Sequence, residues 1–366
     1  MSDIYQNTSH SKVLPVSYPP ITYFPDTANI LSIAMNYSET IPWLMEHFIQ
    51  IKCWLAIETE NDYLFDFECV SNRMDICPFV KDHLVPIDMI LKKWKNYAEF
   101  IVDSINNNYY IFLMVDQYFI PEYNSYNKIH APHELFIFGY DLEKKSFNIA
   151  DFFKNNKYNY TQATFEQVTL GCESSVADYQ NKIGWLNDGI DGIVLLKYAD
   201  FVNYKFDIWH IINFINDYLL AEDNSSKYCR NSRFKVGSNI LYGVKVYDKI
   251  IERIKETYEQ NLTFVDTRMF SLLYDHKTAM KMRIRFLEER NYLTNLSVLS
   301  NSYDKIYDLS LILRNLAIKF NITNDKNILL KILTNLETIK DLEITILSNL
   351  LNELKVKYSG TISRQY

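Results

Sequence analysis

The sequence predicts an α+β protein with a mixed front half and a helical back half. Apolar runs of strand type, including Tyr109–Asp116, His133–Tyr140 and Ser146–Phe153, all lie before residue 200. After a polar linker at Glu222–Ser232, helical spacing of apolar residues continues almost to the end of the chain. We therefore predict an α+β domain over residues 1–222 and a helical domain over residues 223–366.

Each half can be divided into elements from its own local pattern. Asp26 or Thr27 can cap a first helix over Ala28–Tyr37, and strands at Trp54–Ile57 and Tyr63–Val70 flank a polar turn. The front half continues with a helix over Pro86–Asn106, a strand over Tyr109–Asp116, a hairpin of His133–Tyr140 and Ser146–Phe153, a strand over Ile193–Tyr198 and a helix over Asp207–Ala221. The back half predicts helices over Gly243–Gln260, Arg268–Glu289, Tyr303–Asn321 and Leu329–Lys357.

Composition and charge limit the classes of function. Hydrophobic content of 48% and aromatic content of 15% suffice for a buried core. A net charge of −7 without a long basic run argues against nucleic-acid partners and anionic membranes. No signal peptide or membrane span is apparent, and five widely spaced cysteines without a CxxC indicate reduced thiols. We expect a cytoplasmic protein without a cofactor or bound metal.

The predicted hairpin carries one histidine and one aspartate toward the same place. We expect Tyr140 to pair with Ser146 across the charged turn, and this register places Leu135 opposite Asp151. His133 is then a diagonal neighbour of Asp151 on the same face, within reach of a long side chain. An imidazole oriented by a carboxylate is the general-base half of a nucleophilic triad.

Other candidates near the hairpin are weaker. Asp141 cannot partner His133, because eight residues of strand separate them by roughly 26 Å. His130 and His133 could be metal ligands, but the residues between them indicate a loop and no third ligand is apparent. Cys53 lies in an apolar run, and Cys172 follows the aspartate in the chain, so we expect neither thiol to be the nucleophile.

The run from Tyr109 to Asp151 resembles the papain-like superfamily, in which a nucleophile helix precedes a histidine strand and an aspartate or asparagine strand. The matching residues are His133 in H-E-L-F-I-F-G-Y-D and Asp151 after the turn. Within the papain-like superfamily, the chain is similar to the group related to the N-terminal domain of butirosin biosynthesis protein H, and to the amide-forming protease homologue of closthioamide biosynthesis. The segments Y-G-V-K-V-Y-D-K-I-I-E-R-I and L-L-Y-D-H-K-T-A-M-K-M-R-I-R-F-L-E-E resemble the helical extension of clostridial members.

The resemblance implies a papain-like core, in which an N-terminal helix that carries the nucleophile position packs on an antiparallel sheet, followed by an all-α region. The nucleophilic cysteine of the family opens that helix, but the stretch Tyr23–Ile33 has no cysteine. The equivalent position is Ala28, with Thr27 or Asp26 as alternatives. None of the three supplies a thiolate. An alanine at position 28 is what a substitution of the nucleophilic residue by alanine would produce.

The activity that the resemblance implies is acyl transfer or amide formation from a thioester in bacterial specialised-metabolite biosynthesis of the nonribosomal-peptide type. His133 would be general base and acid, and Asp151 would orient it. The expected partners are an acyl- or peptidyl-carrier protein with its phosphopantetheine thioester and an amine acceptor. Two alternatives stay open: a pseudoenzyme that serves as a binding or scaffold protein, and acyl transfer without a covalent intermediate.

Side chains outside the pair could contribute to binding. Tyr118, Phe119 and Tyr123 in the loop before His133 could line an acyl-binding groove. The pattern around Lys277, Arg283 and Arg285 in the back half predicts a solvated helix face. Contact of that face with an acidic carrier protein is the alternative.

Overall fold

A computed structural model shows that the chain is built from two compact units. Unit 1 comprises Met1–Ser38 and Arg73–Asn203, and unit 2 comprises Glu39–Asn72 and Tyr204–Tyr366. The predicted domain boundary at 222/223 falls inside unit 2. The structure describes residues 10–55, 63–68, 77–154, 157–179, 192–223, 239–293 and 298–359.

The described residues form an α+β fold, which confirms the predicted α+β class, while the papain-like core stays a prediction. The strands are β1 (Ser11–Val13), β2 (Ile51–Leu55), β3 (Tyr63–Phe67), β4 (Val80–Pro86), β5 (Tyr110–Asp116), β6 (Pro132–Asp141), β7 (Ser146–Phe152), β8 (Tyr158–Thr164), β9 (Gly192–Tyr198) and β10 (Ile240–Tyr242). The helices are α1 (Pro25–Ala34), α2 (Ile41–Glu46), α3 (Ile87–Lys93), α4 (Tyr97–Asn106), α5 (Phe165–Tyr179), α6 (Ile208–Leu220), α7 (Val246–Glu259), α8 (Arg268–Glu289), α9 (Val298–Thr323) and α10 (Lys326–Tyr358).

Unit 1 is organised around one antiparallel sheet. Its strand order is β4-β9-β5-β6-β7-β8, and the short β1 pairs with β6. The hairpin of β6 and β7 is therefore central, and most of its apolar residues are buried, on both faces of the sheet. Helix α1 contacts β4, β6 and β7, whereas α5 packs mainly on β5. Two helix layers thus cover the sheet around the hairpin.

The hairpin register differs from the prediction at the turn and agrees with it at the site. Asp141, and not Tyr140, pairs with Ser146. The Asp141 carboxylate accepts hydrogen bonds from two turn backbone amides at 3.0 Å, which extends the strand by one residue. A β-bulge between Ile137 and Gly139 then shifts the register, so that Phe136 pairs with Ala150 as the predicted register requires.

Helix α1 packs on the face of the sheet that carries Phe136 and Ala150. The hydroxyls of Tyr158 and Tyr160 in β8 lie 3.2 and 3.1 Å from the Ser32 hydroxyl of α1. Tyr160 is the register partner of Ala150, so both side chains point toward α1. By alternation along β6, Glu134 shares this face, and it lies near the start of α1.

Several boundaries in the front half differ from the predicted ones. Helix α1 begins at Pro25 and is preceded by Phe24, so the predicted caps Asp26 and Thr27 lie inside its first turn. The predicted helix over Pro86–Asn106 is helical over most of its length but is not one helix: Pro86 ends β4, and two separate helices, α3 and α4, follow. Asn96 causes the last division, because its side chain caps α4 by accepting the Glu99 amide at 2.9 Å.

Unit 2 combines helices with the three-stranded sheet β10-β2-β3. The predicted back-half helices correspond to α7, α8, α9 and α10, but the expectation of an all-α back half is wrong at Ile240–Tyr242, which pairs with β2. The predicted solvated face is wrong at Lys277 and Arg283, which are 0% exposed, whereas Arg285 is exposed as predicted. Lys277 is paired with Glu343, and the Arg283 guanidinium donates to the carbonyl oxygens of Met45 and His47.

No helix in the described ranges is both long enough and apolar enough to cross a membrane.

Candidate functional site

The strand register brings His133 and Asp151 together, as the sequence predicted. His133 is the second residue of β6, and its Nδ1 lies 2.7 Å from Oδ2 of Asp151 on β7. Nδ1 is also 3.0 Å from the carbonyl oxygen of Glu134. Both neighbours are acceptors, so Nδ1 carries a proton and donates it, which leaves Nε2 as the outward nitrogen. The catalytic role of the pair stays a prediction.

The environment of His133 favours its charged form. Burial disfavours the imidazolium, but the hydrogen bond and charge of Asp151, together with the charge of Glu134, outweigh it and raise the His133 pKa from 6.5 to about 9. The His133 side chain is still 29% exposed, whereas that of Asp151 is 1% exposed. At neutral pH the site therefore presents a partly accessible imidazolium.

Tyr123 is a third member of the hydrogen-bonded group. Its hydroxyl donates to Oδ2 of Asp151, the same oxygen that accepts from His133, and Tyr123 is 2% exposed. The other oxygen of Asp151, Oδ1, is buried and has no hydrogen-bond partner. Two donors on one oxygen thus hold the carboxylate, and the tyrosine restricts its orientation.

Glu134 is a second buried carboxyl beside the imidazole. It is 7% exposed, and its Oε2 has no hydrogen-bond partner. Burial raises the Glu134 pKa, the charge of His133 lowers it, and the charges of Asp26 and Asp151 raise it further. The influence of Asp26 shows that the first turn of α1 lies near the start of β6.

The three candidate nucleophile positions lie in the first turn of α1 and differ in exposure. Ala28 is 0% exposed and Thr27 is 8% exposed, so both belong to the core. Asp26 is half-buried, and its Oδ1 accepts the Thr27 amide at 2.6 Å. Among these positions, the charge of Asp26 is the one that acts on Glu134. None of the three provides a thiol.

The described cysteines do not replace the missing nucleophile. Cys53, Cys77 and Cys172 are buried, and burial raises the pKa of Cys53 and of Cys77 to about 12 and that of Cys172 still further. A buried thiol with a raised pKa is a poor nucleophile. The sequence positions Cys69 and Cys229 lie outside the described residues.

His130 belongs to a separate group. Its Nδ1 lies 2.6 Å from Oδ2 of Asp116, which also accepts the Ser174 hydroxyl at 2.6 Å. Tyr118 stacks on the His130 ring with centroids 4.1 Å apart. His130 and His133 therefore have different carboxylate partners. In the part of the chain that the structure describes, no cluster of His, Cys, Asp and Glu could hold a metal ion.

Sequence reasoning missed Glu134 as a member of the site. Glu134 lies at the edge of the apolar run Leu135–Tyr140, where a charged side chain is ordinarily solvated. Its burial was therefore not expected from the sequence. Tyr123 was expected to line a groove, whereas its hydroxyl contacts Asp151. The signal that could have found Glu134 is its position next to the candidate histidine.

The comparisons with known proteins identify no family for this chain. Neither a scan against protein-family models nor a search of curated proteins found a match to the chain.

The arrangement can perform acid–base chemistry but lacks the thiolate of a cysteine-dependent acyl transfer among its described residues. Its groups are an imidazolium with an outward Nε2, a carboxylate that orients it and a buried carboxyl next to it. Such a group can donate a proton to a leaving atom and recover it from a nucleophile.

Proposed function

We propose that this chain is a papain-like acyl-transfer protein that forms amide bonds from thioester-bound acyl or peptidyl intermediates without an acyl-enzyme. The pairing of His133 with Asp151 carries the proposal, because it supplies an oriented, charged imidazole at a partly exposed position. The expected setting is bacterial specialised-metabolite biosynthesis of the nonribosomal-peptide type, in the cytoplasm. An acyl- or peptidyl-carrier protein would deliver the thioester, and an amine would accept the acyl group.

The absence of a thiol from the described site directs the mechanism to direct attack. The amine nitrogen attacks the thioester carbonyl carbon, and a C–N bond forms as the C–S bond breaks. The His133 imidazolium donates its Nε2 proton to the departing sulfur. The neutral imidazole then accepts a proton from the newly acylated nitrogen. The products are an amide and a free thiol, and His133 returns to its starting state.

The experiment combines the full chain with a simple acyl thioester and an excess of amine, and follows amide formation by mass spectrometry. We expect amide from the wild-type chain, and a rate lower by about 10²–10⁴-fold for His133→Gln and Asp151→Asn. His130→Gln is the matched control, because this histidine is held by Asp116 and not by Asp151. Equal rates for the wild type and His133→Gln would contradict the proposal.

A binding or scaffold protein is the second candidate function. The observation that favours it is the complete burial of Ala28, together with buried thiols at the described cysteines. In that case the chain would bind the thioester or its carrier and form no amide above the uncatalysed rate. An acyl adduct on the intact protein would contradict both candidates, because it requires a covalent nucleophile.

A further inference from the structure

Unit 2 contains a cavity whose walls include no residue of the proposed acyl-transfer site. Its volume is about 610 Å³, within the usual range of small-molecule sites. The walls come from β3, from α7, from the loop over residues 260–267 and from the start of α8. All of these segments belong to unit 2, whereas His133 and Asp151 belong to unit 1. The cavity is therefore a candidate for a second site.

The polar groups left unmatched on the charged side of this cavity are hydrogen-bond donors. The Arg253 guanidinium lies over the Tyr63 ring, with its central carbon 4.8 Å from the ring centroid. Of its five N–H groups, one donates to Glu256, and the other four have no partner among the residues that the structure describes. The carboxylate of Asp266, by contrast, already accepts from Arg268 at both oxygens. A ligand that matches these walls must therefore bring acceptor atoms.

The ion pair of Arg253 with Glu256 leaves room for a second anion. The pair is partly exposed, with 26% and 32% of the two side chains accessible, and pairs of this kind contribute little to stability. A ligand carboxylate can share the guanidinium without displacing Glu256, because it uses the remaining N–H groups. The planar fork of arginine fits two carboxylate oxygens at once, and the contact with Tyr63 restricts the orientation of that fork.

An apolar wall lies beside these donors. Phe264 is 67% exposed and Leu262 is 42% exposed, and both line the cavity. Their loop is held in place, since Asn321 accepts the Val265 N–H and donates to the Val265 carbonyl oxygen, both at 2.8 Å. A held loop that presents an aromatic ring can bind an apolar group at a low cost in ordering.

We propose that this cavity binds a small carboxylate that carries an aromatic or branched apolar group. The carboxylate oxygens accept from the N–H groups of Arg253 that Glu256 leaves free, and the apolar group packs on Phe264 and Leu262. Free phosphate would use the guanidinium but leave the apolar wall uncovered. The proposal goes beyond the proposed function and does not depend on acyl transfer.

The probe is para-fluorophenylacetate, titrated into the full chain and followed by fluorine NMR. We expect saturable binding by the wild type with a dissociation constant of about a millimolar or below, as for other ligands of this size. Binding should weaken by about 10–100-fold in Arg253→Gln, which removes the charged donor, and by about tenfold in Phe264→Ala, which removes the ring.

Each variant has a matched control that should bind the probe like the wild type. Arg285→Gln removes an exposed arginine of the same unit, one that pairs with Asp304 outside the cavity. Phe201→Ala removes a phenylalanine that is 76% exposed in unit 1. The thermal midpoint of each variant checks its folding. If Arg253→Gln does not fold, Arg253→Lys takes its place, and loss of the paired donors should still weaken binding several-fold.

Several results would overturn the proposal. One is the lack of saturable binding by the wild type in the millimolar range. Another is equal affinity for para-fluorophenylethanol, which keeps the ring but lacks the carboxylate. Displacement of the probe by an equal concentration of inorganic phosphate would show an oxyanion site without selection for an apolar group. Unchanged affinity in Arg253→Gln or in Phe264→Ala would place the bound probe outside this cavity.

Discussion

At the scale of single residues, the charge on His133 decides which step of the proposed transfer reaction this site would assist. Burial lowers the pKa of His133, but the hydrogen bond and charge of Asp151 outweigh this effect and raise the pKa from 6.5 to about 9. The imidazolium therefore predominates below that pH and is lost above it. A resting imidazolium is an acid, so in the proposed reaction it would protonate the departing sulfur.

The pH dependence of amide formation follows from this charge. With a weakly basic aromatic amine, whose own titration lies at lower pH, we expect a rate plateau around neutral pH and a fall above about 9. The measurement is the rate against pH at saturating thioester, corrected for hydrolysis without protein. A rate that instead rises through this range would identify neutral His133 as the active form and contradict the account.

We expect Tyr123 to influence the same ionisation through Asp151. Its hydroxyl donates to Oδ2 of Asp151 and so stabilises the carboxylate. In Tyr123→Phe the less stabilised carboxylate should bind the imidazolium more strongly, which moves the falling limb of the pH–rate profile upward by up to about one unit. Tyr126→Phe in the same loop is the control, and its profile should match that of the wild type. An unmoved limb in Tyr123→Phe would show that this hydroxyl has no part in setting the charge.

At the scale of elements, the β6–β7 hairpin depends on a bulge and a glycine. A Cβ on Gly139 would lie 2.9 Å from Oδ1 of Asn148 and 2.9 Å from the carbonyl oxygen of Lys12. The second contact is with the backbone of β1, which cannot move away without losing its pairing to β6. The glycine therefore permits β1 to approach next to the bulge.

We expect Gly139→Ala to lower the free energy of unfolding by about 1–3 kcal/mol. Gly171→Ala is the comparison variant. Its Cβ would lie 3.2 Å from the Val115 side chain, and the cost of this close contact is opposed by the gain of about 1 kcal/mol in helix propensity when alanine replaces glycine. Urea unfolding of both variants gives the values, and hydrogen exchange should locate the Gly139→Ala effect in β1 and β6. If Gly139→Ala leaves the free energy of unfolding unchanged, β1 does not approach Gly139 as closely as described.

The hairpin also shows how far sequence reasoning could reach. Alternation of apolar residues fixed its two strands, and counting from the turn placed His133 beside Asp151. The turn itself was wrong by one residue, because the side chain of Asp141 caps it. The bulge next to Gly139 cancelled that error, and a bulge leaves no periodic signal in one sequence.

Other elements could not be predicted, for a different reason. The burial of Lys277 depends on Glu343, which lies 66 residues further along the chain, so no local pattern contains it. Glu134 was overlooked because its burial becomes visible only when α1 is placed near β6. The start of α1 at Pro25 depends on a proline at the first helical position, which competed with the nearby capping residue Asp26.

At the scale of the whole molecule, unit 2 is held by a buried polar network centred on Glu343. Lys277 lies 2.8 and 2.7 Å from the two Glu343 carboxylate oxygens and 2.8 Å from Nδ1 of His276. Three tyrosine hydroxyls also donate to this carboxylate, those of Tyr218, Tyr247 and Tyr303. Helices α6, α7, α8, α9 and α10 each contribute a side chain, so the network links the helices of this unit.

Breaking this network should destabilise unit 2 strongly. Glu343→Gln leaves the Lys277 ammonium buried without its anion, and we expect a loss of about 3–5 kcal/mol. The control Glu337→Gln lies on the exposed side of the same helix and should change little. Urea unfolding of the full chain and hydrogen exchange in α8 and α10 provide the readouts. A loss below about 1 kcal/mol would contradict the assigned charges.

The same network predicts acid sensitivity. Burial disfavours the Glu343 carboxylate, but the charges of Lys277 and His276 together with hydrogen bonds lower its pKa from 4.5 to about 2, and burial lowers the His276 pKa from 6.5 to about 3. Both groups bind protons more readily in the unfolded chain. Their contribution to stability is present above pH 6.5 and is lost progressively as the pH falls toward 2. Exchange in α8 and α10 should therefore quicken on acidification, after correction for intrinsic rates.

The most direct test of the central claim is the titration of the His133 ring by NMR, in the full chain and in Asp151→Asn. The account predicts a pKa near 9 in the wild type. It predicts a clearly lower value in Asp151→Asn, because the charge that outweighs burial has been removed. A wild-type His133 that titrates at or below its ordinary value of 6.5 would contradict the account. The resting imidazolium, and with it the proposed acid step, would then be ruled out.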